Sequence, residues 1–358
     1  MLVSTCSFGS SGSSAVSDYL RECENAVVLD ALEFNIAAMV DGLEDLEYHL
    51  MQRFSRQSSS IYAIQRFRKA MMAKATGLER RMGASVKTVR ELTDRFLDEI
   101  TQVTYVGPSP MIDKKHSEFL RIHVGNSLIR SRILKKLEKS GRLKKNIDIY
   151  PFDTVQVSVM PPNFYDAARR FVEDLLKAMG ANFDKIVVMD QAFSGNDPAK
   201  SFPFYPDPYA IVVDRDPRDM YIFAKKFLLS KGRFMPSDTV ENFITYYRII
   251  RQGKERRADG ERILNVRFEE MVYDYDNAVK KIDAFLHVKN VRPKTVFVPE
   301  MSVANTNLIR KFPEFQADVE KIERELPEYL FDFSAYQAPE GSGKMFYGRS
   351  PLNPNQAH

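Results

Sequence analysis

The stretch MLVSTCSFGSSGSS, Met1 to Ser14, passes from an apolar, β-branched run into a loop of glycine and serine, and AVSDYLREC, Ala15 to Cys23, follows it. In that following segment Val16, Tyr19, Leu20 and Cys23 fall on one face, which predicts an amphipathic helix behind a buried strand. Strand, small-residue loop and helix in this order bring N–H groups of the loop and of the helix start around one point, where an oxyanion is held. Gly9 and Gly12 also suit a plain tight turn, and Ser13 or Ser14 a plain helix cap. Position favours the anion site, because the loop follows the first strand and opens the first helix, as in nucleotide-binding α/β proteins. The loop is not of the form G-x-x-x-x-G-K-[ST], since no lysine precedes Lys69, which sets aside an ordinary ATPase or GTPase.

Outward from this start, Ala26–Leu29, Thr154–Met160, Lys185–Met189, Tyr209–Val213 and Arg262–Val266 read as strands with helices between them, which predicts a parallel sheet with right-handed crossovers. Residues 34 to 102 carry mainly helical patterns, interrupted by the polar stretch Ser55 to Ser60, and 116 to 140 look helical again. The expected organisation is an α/β core of residues 1–33 and 151–337, a helical insertion or substrate subdomain at 34–150, and a Gly/Pro/Ser/Asn-rich tail at 338–358 that is flexible or closes as a flap.

The chain has 358 residues, 44% hydrophobic and 28% charged, the balance of a water-soluble globular protein. No apolar run reaches the length of a membrane span and no basic leader precedes the first strand, so a cytoplasmic protein is expected. Cys6 and Cys23 read as small buried residues rather than a disulfide, and five scattered histidines offer no metal-ligand spacing, so no metal is expected. The net charge is only +4, but eleven Lys and Arg lie between Lys114 and Lys145 against Asp113, Glu118 and Glu138. This stripe suits a polyanion or a solvated helix face; its few aromatics argue against stacking on single-stranded nucleic acid.

The second telling segment is PYAIVVDRDPRDMYIFAKKF, Pro208 to Phe227. A β-branched strand ends in Asp214 and Arg215, and Pro217 starts an amphipathic helix. Ligands of parallel sheets bind beyond the carboxyl ends of the strands, where Arg215 and Arg218 emerge, and a guanidinium grips phosphate with paired hydrogen bonds. An Arg/Asp network capping the helix, with Asp216 and Asp219 neutralising both arginines, fits the same residues, and the segment by itself leaves both readings open.

Together, SSGSS (Ser10 to Ser14) and VVDRDPRD (Val212 to Asp219) resemble the 5'-phosphosulfate loop and the 3'-phosphate segment of sulfotransferases that use 3'-phosphoadenosine 5'-phosphosulfate, PAPS. RILNVRFEEMVYDYDNAVKKIDAFL, Arg262 to Leu286, is similar to that family's strand, acidic turn and helix, and SVANTN, Ser302 to Asn307, to a late polar motif of its bacterial, glycan-modifying members. The resemblance hardly touches residues 50 to 150. It implies a three-layer α/β fold with the P-loop nucleotide-kinase topology and a large helical insertion. It further implies PAPS as sulfuryl donor, with Gly9, Ser10, Ser11, Gly12, Ser13 and Ser14 on its 5' end, Arg215 on its 3'-phosphate and Arg218 nearby. The implied acceptor is a hydroxyl of a bacterial surface or capsular glycan.

Two positions depart from the family pattern. Ser10 stands where the family places Lys or Arg, and Phe223 stands eight residues beyond Arg215, where a serine is common. The missing cation matters because charge builds as the bond to the leaving group breaks. Lys344 in GSGK, Gly341 to Lys344, and Lys114 or Lys115 are the candidate replacements; simple exposed lysines are the bland reading. The family's glutamate base corresponds to Glu33 in VLDALEFN, with Asp30 and His49 as weaker choices and a surface position in a helix's first turn as the alternative. Asp190, Gln191, Asn305 and Thr306 are cleft candidates that local capping explains as well. Three rival functions follow: a phosphotransferase of the same architecture, a nucleotide-binding protein without turnover, and a nucleic-acid binder using the 114–145 stripe.

Overall fold

The computed structural model describes residues 1–53, 57–108, 136, 139–140, 152–228, 235–288, 294–337 and 345–346. Strands β1 (Leu2–Cys6), β2 (Ala26–Leu29), β5 (Ile186–Asp190), β6 (Pro208–Asp214) and β7 (Ile263–Arg267) form one all-parallel sheet in the order β2-β5-β1-β6-β7. Counted among themselves in chain order, the parallel strands run 2-3-1-4-5, the nucleotide-kinase arrangement. The chain departs from central β1 to one side and later returns to the other, so a crevice opens at the carboxyl ends of β1 and its neighbours.

Strict alternation along the strands makes the layers. Leu2, Cys6, Val187, Met189, Ala210 and Val212 face a core shared with helices α2 (Gln57–Met82), α3 (Val86–Ile100) and α4 (Phe164–Ala178). Val3, Val188, Ile211 and Val213 face the opposite core, shared with α1 (Ser13–Arg21), α6 (Phe268–Tyr273) and α7 (Tyr275–Leu286). A third cluster gathers α5 (Pro217–Phe223) with Phe243, Ile244, Leu308 and Ile322. Val16, Tyr19, Leu20 and Cys23 are buried, as the spacing of α1 predicts. Burial pushes the Cys6 thiol up to about 12, so it behaves as an apolar core residue.

Three features differ from the sequence reading. The segment expected as strand Thr154–Met160 is β4 (Phe152–Val157), and it lies outside the parallel sheet, pairing antiparallel with a strand the sequence reading lacked, β3 (Val103–Pro108). The helical pattern ends at Ile100, and Val103–Val106 is a β-branched and aromatic run that pairs with Val157–Thr154 instead. Helix α2 begins at Gln57, inside the stretch expected to interrupt it. The helix expected at 116–140 lies outside the described residues except for Lys136, Lys139 and Ser140, all exposed. Of the tail from 338 only Met345 and Phe346 are described. No helix among the described residues is long and apolar enough to cross a membrane.

Candidate functional site

The loop after β1 holds three residues in the left-handed region: Gly9 (φ 72°), Ser10 (φ 56°) and Gly12 (φ 89°). Gly12 is doubly required, because a Cβ there would also lie 2.4 Å from Cδ2 of the Phe268 ring. Side chains clamp the loop from both sides. Ser11 Oγ donates to the Val213 carbonyl at 2.6 Å and accepts from the Phe8 N–H at 3.2 Å. Gln191, just beyond β5, accepts from the Ser7 N–H at 3.1 Å and donates to the hydroxyls of Ser7 (2.5 Å) and Ser13 (3.2 Å). The Phe8 ring lies under Arg251 and Arg257, 4.3 and 4.9 Å from their guanidinium carbons. The loop is therefore held by side-chain hydrogen bonds; the Ala15 N–H donates back to the Gly12 carbonyl at 3.0 Å, and the N–H groups of Ser13 and Ser14 come before this first intrahelical bond.

At the end of β6 each charged residue has a separate task. Asp214 takes Arg251 Nη2 at 2.7 Å and Arg257 Nη2 at 3.4 Å; burial pushes its carboxyl up, but the two guanidinium groups outweigh that and hold it low. Asp216, fully buried, receives Arg218 Nε at 2.9 Å and Nη2 at 2.7 Å, together with the Phe331 N–H at 2.7 Å. Asp219 accepts the N–H groups of Asn307 (2.8 Å) and Leu308 (2.7 Å); burial first and the Asp216 charge second push its carboxyl up to about 7. Glu269 accepts the Asp216 N–H at 2.8 Å, and burial raises its carboxyl too.

Arg215 differs from all of these. Only 3% exposed, its guanidinium lies between the rings of Phe223 (5.1 Å) and Phe268 (5.0 Å), donates from Nη1 to the Ser10 carbonyl at 3.1 Å and from Nη2 to the Asn305 carbonyl, and keeps Nε without a partner. Burial lowers its pKa, while Asp219, Glu269 and Asp216 oppose that shift. Phe223, at the position where the family's serine is common, is thus the ring that stacks on Arg215.

A cavity joins the two loops. Ser10, Gly12, Ser13 and Ser14 line it from one side, Arg215 and Phe223 from another. The remaining wall includes Asp18, Phe297, Asn305 and Phe346. The Ser10 hydroxyl and Arg215 Nε are both buried polar atoms without a hydrogen-bond partner at this site, a fit for a ligand with several acceptor oxygens. Asn305 and Phe346 exchange reciprocal hydrogen bonds at 3.0 and 3.1 Å.

The other expected residues are placed elsewhere. Gly9 and Ser11 shape and anchor the loop without lining the cavity. Arg218 is committed to Asp216, to Glu323 at 2.8 Å and to the Phe331 carbonyl at 2.7 Å; burial lowers its pKa, and these acidic partners more than reverse that. It ties the C-terminal segment to α5 through these partners and is not among the residues that line the cavity. Glu33 is exposed in the loop after β2, beside Phe34, whose N–H donates to the Asp190 carbonyl at 2.8 Å; it stands at the carboxyl edge of the sheet but not on the cavity wall. It is not in a helix's first turn. Asp30 pairs with Arg21, and the partly buried His49 is held low by burial. Lys344, Lys114 and Lys115 lie outside the described residues.

Sequence reasoning missed Asp18 and Phe297 on the wall, and Lys74, a half-buried cation donating to Asn35 near Glu33, whose pKa burial lowers. Asp18 stands one helical turn beyond Ser14, so helical spacing from the loop would have found it; no local signal marks Phe297.

No protein-family model matches the chain, and no curated protein matches it. Among solved structures it is similar to "Sulfotransferase Domain from the Curacin Biosynthetic Pathway", with 9% identity, a TM-score of 0.35, and coverage of 82% of this chain and 75% of that one.

Proposed function

We propose that the cavity holds the bisphosphate part of PAPS and that the chain is a sulfotransferase acting on a hydroxyl of a glycan or related acceptor. One observation carries the reading: the amide-rich loop of β1 and the buried Arg215 of β6 line a single cavity, each with a buried donor left unpartnered. The N–H groups of Gly12 to Ser14 and the serine hydroxyls would hold the 5' end, and Arg215 the 3'-phosphate. The donor, when bound, supplies an activated sulfuryl group. The chain contributes a loop held by side-chain hydrogen bonds, a guanidinium between two rings and phenylalanine rings on the wall. Glu33, at the sheet's carboxyl edge, would accept the proton of an acceptor hydroxyl approaching from the side of the 34–150 segment. A bacterial surface or capsular glycan is the acceptor class in this reading, and Lys344, Lys114 or Lys115 would supply the positive charge that Ser10 lacks.

A second reading has its own support. Among the described residues Arg215 is the one cationic side chain on the cavity wall, which suits a protein that binds the nucleotide without turnover. Titration calorimetry with adenosine 3',5'-bisphosphate and with ATP tests the binding common to both readings: the bisphosphate is expected to bind at least about tenfold more tightly. No heat from either ligand, or equal affinity for both, would overturn both readings. Transfer of labelled sulfate from PAPS to glycan acceptors then separates the two, and alanine at Glu33, Lys344, Lys114 and Lys115 ranks the proposed groups.

A further inference from the structure

One stretch of backbone reaches the cavity from the far end of the chain. Asn305 and Phe346 are 41 residues apart in sequence, yet both line the cavity together with Ser10 and Arg215. The Asn305 side chain donates from Nδ2 to the Phe346 carbonyl at 3.0 Å, and its Oδ1 accepts the Phe346 N–H at 3.1 Å. A single amide thus satisfies both polar groups of one peptide residue, and it does so whatever side chain stands at 346. Met345 adds a second hold, because it packs against the cluster of α5, to which Leu308 also belongs.

Asn305 is itself fixed. It is 6% exposed, its carbonyl accepts from Arg215 Nη2, and the N–H groups of Asn307 and Leu308 just beyond it donate to Asp219 at 2.8 and 2.7 Å. An amide ordered in advance loses little further freedom when it takes up a peptide group. The docked segment also leaves the donors of the cavity open. The Ser10 hydroxyl and Arg215 Nε have no partner with Phe346 in place, and the polar backbone groups of Phe346 are turned to Asn305. Phe346 therefore forms a wall that is compatible with an occupied cavity. Two neutral hydrogen bonds and one methionine contact are a weak hold, of the strength that opens and closes without the core unfolding.

We propose that Met345–Phe346 is a strap, latched by Asn305, that closes one side of the cavity over its ligand and lifts to let the ligand exchange. The latch stands on the hydrogen bonds alone; its closure over a nucleotide rests on the bisphosphate reading of the cavity. Arg215 links the two, since the guanidinium that would take a phosphate also holds the Asn305 carbonyl.

Hydrogen–deuterium exchange on the full chain reads the latch. The Phe346 N–H is expected to exchange at least about tenfold more slowly than in an unstructured peptide, and to lose that protection in Asn305→Ala. Surface plasmon resonance with adenosine 3',5'-bisphosphate reads the closure: release about tenfold faster than from the unaltered chain is expected for Asn305→Ala. Phe346→Pro removes the donated N–H, leaves the buried Asn305 in place and is expected to speed release likewise, which guards against a folding defect in the first variant. A Phe346 N–H that exchanges at the unstructured rate in the unaltered chain overturns the strap and leaves the bisphosphate site standing. Release from both variants within about twofold of the unaltered rate does the same. Failure of the bisphosphate to bind the unaltered chain overturns the site itself and the closure over it, whatever the exchange of Phe346 shows.

Discussion

The loops that leave β1 and β6 emerge side by side from adjacent parallel strands, yet they serve the cavity in opposite ways. The β1 loop has no charged residue between Ser7 and Ser14 and offers backbone N–H groups, held open because Ser11, Gln191 and two glycines fix its path. The β6 loop is crowded with charge, and nearly all of it is engaged internally: Asp214 with Arg251 and Arg257, Asp216 with Arg218, Asp219 with the backbone of Asn307 and Leu308. Arg215 alone of that string reaches the cavity. The number of charges in a segment therefore says little about ligand capacity; what counts is which donors the fold leaves unpartnered.

The contrast breaks most visibly at Arg215. Arg215→Ala is expected to weaken adenosine 3',5'-bisphosphate binding by about 100-fold or more, read by calorimetry, because a desolvated guanidinium on phosphate is removed. Arg218→Ala is the matching control. It strips the buried Asp216 of its counter-charge and should cost about 3 kcal/mol of stability in denaturant unfolding, while ligand affinity in the remaining folded protein stays within about threefold. If Arg218→Ala abolishes binding and Arg215→Ala does not, the division of labour within the segment is wrong.

On the β1 side, Gly12→Ala forces a Cβ into the Phe268 ring and an alanine into a left-handed backbone. A loss of about 1–3 kcal/mol in thermal unfolding is expected, together with weakened bisphosphate binding. The smallest effect concerns Asp219. Its folded carboxyl titrates near about 7, against roughly 3.9 in an unfolded chain. Between about pH 4 and 7 the folded state keeps a proton that the unfolded chain has lost, so stability falls as pH rises through that window. Glu269 adds in the same direction, whereas Asp214, held low, loses its contribution only in acid below that window. Asp219→Asn should flatten part of the decline between pH 5 and 7.5; an unaltered slope would show that other groups cause it.

The two loops were also unequally legible. Strand, glycine loop and amphipathic helix are written locally in residues 1 to 23, so the anion loop could be read there, and the later alternation of strands and helices predicted the parallel sheet, whereas the central place of β1 had no local signal. Arg215 and Arg218 could not be told apart, because they are the same residue type three positions apart in one string. Their fates are decided by Asn305, Glu323 and Phe331, which the chain supplies about a hundred residues later. The β3–β4 ladder was hidden for a related reason: Val103–Val106 is a short run whose partner lies some fifty residues downstream, and a helical stretch just before it masked the change of period. Asp18 was overlooked because no local signal separates a buried acid that pairs with Arg21 from one that also lines a cavity.

A crystal structure of the chain with adenosine 3',5'-bisphosphate tests the shared cavity most directly. The account predicts the 5'-phosphate on the N–H groups of Gly12 to Ser14 and the 3'-phosphate on Arg215, with Arg218 still bound to Asp216 and Glu323. A nucleotide seated away from the β1 loop, or one that takes its 3'-phosphate from Arg218 or from no arginine, would contradict it.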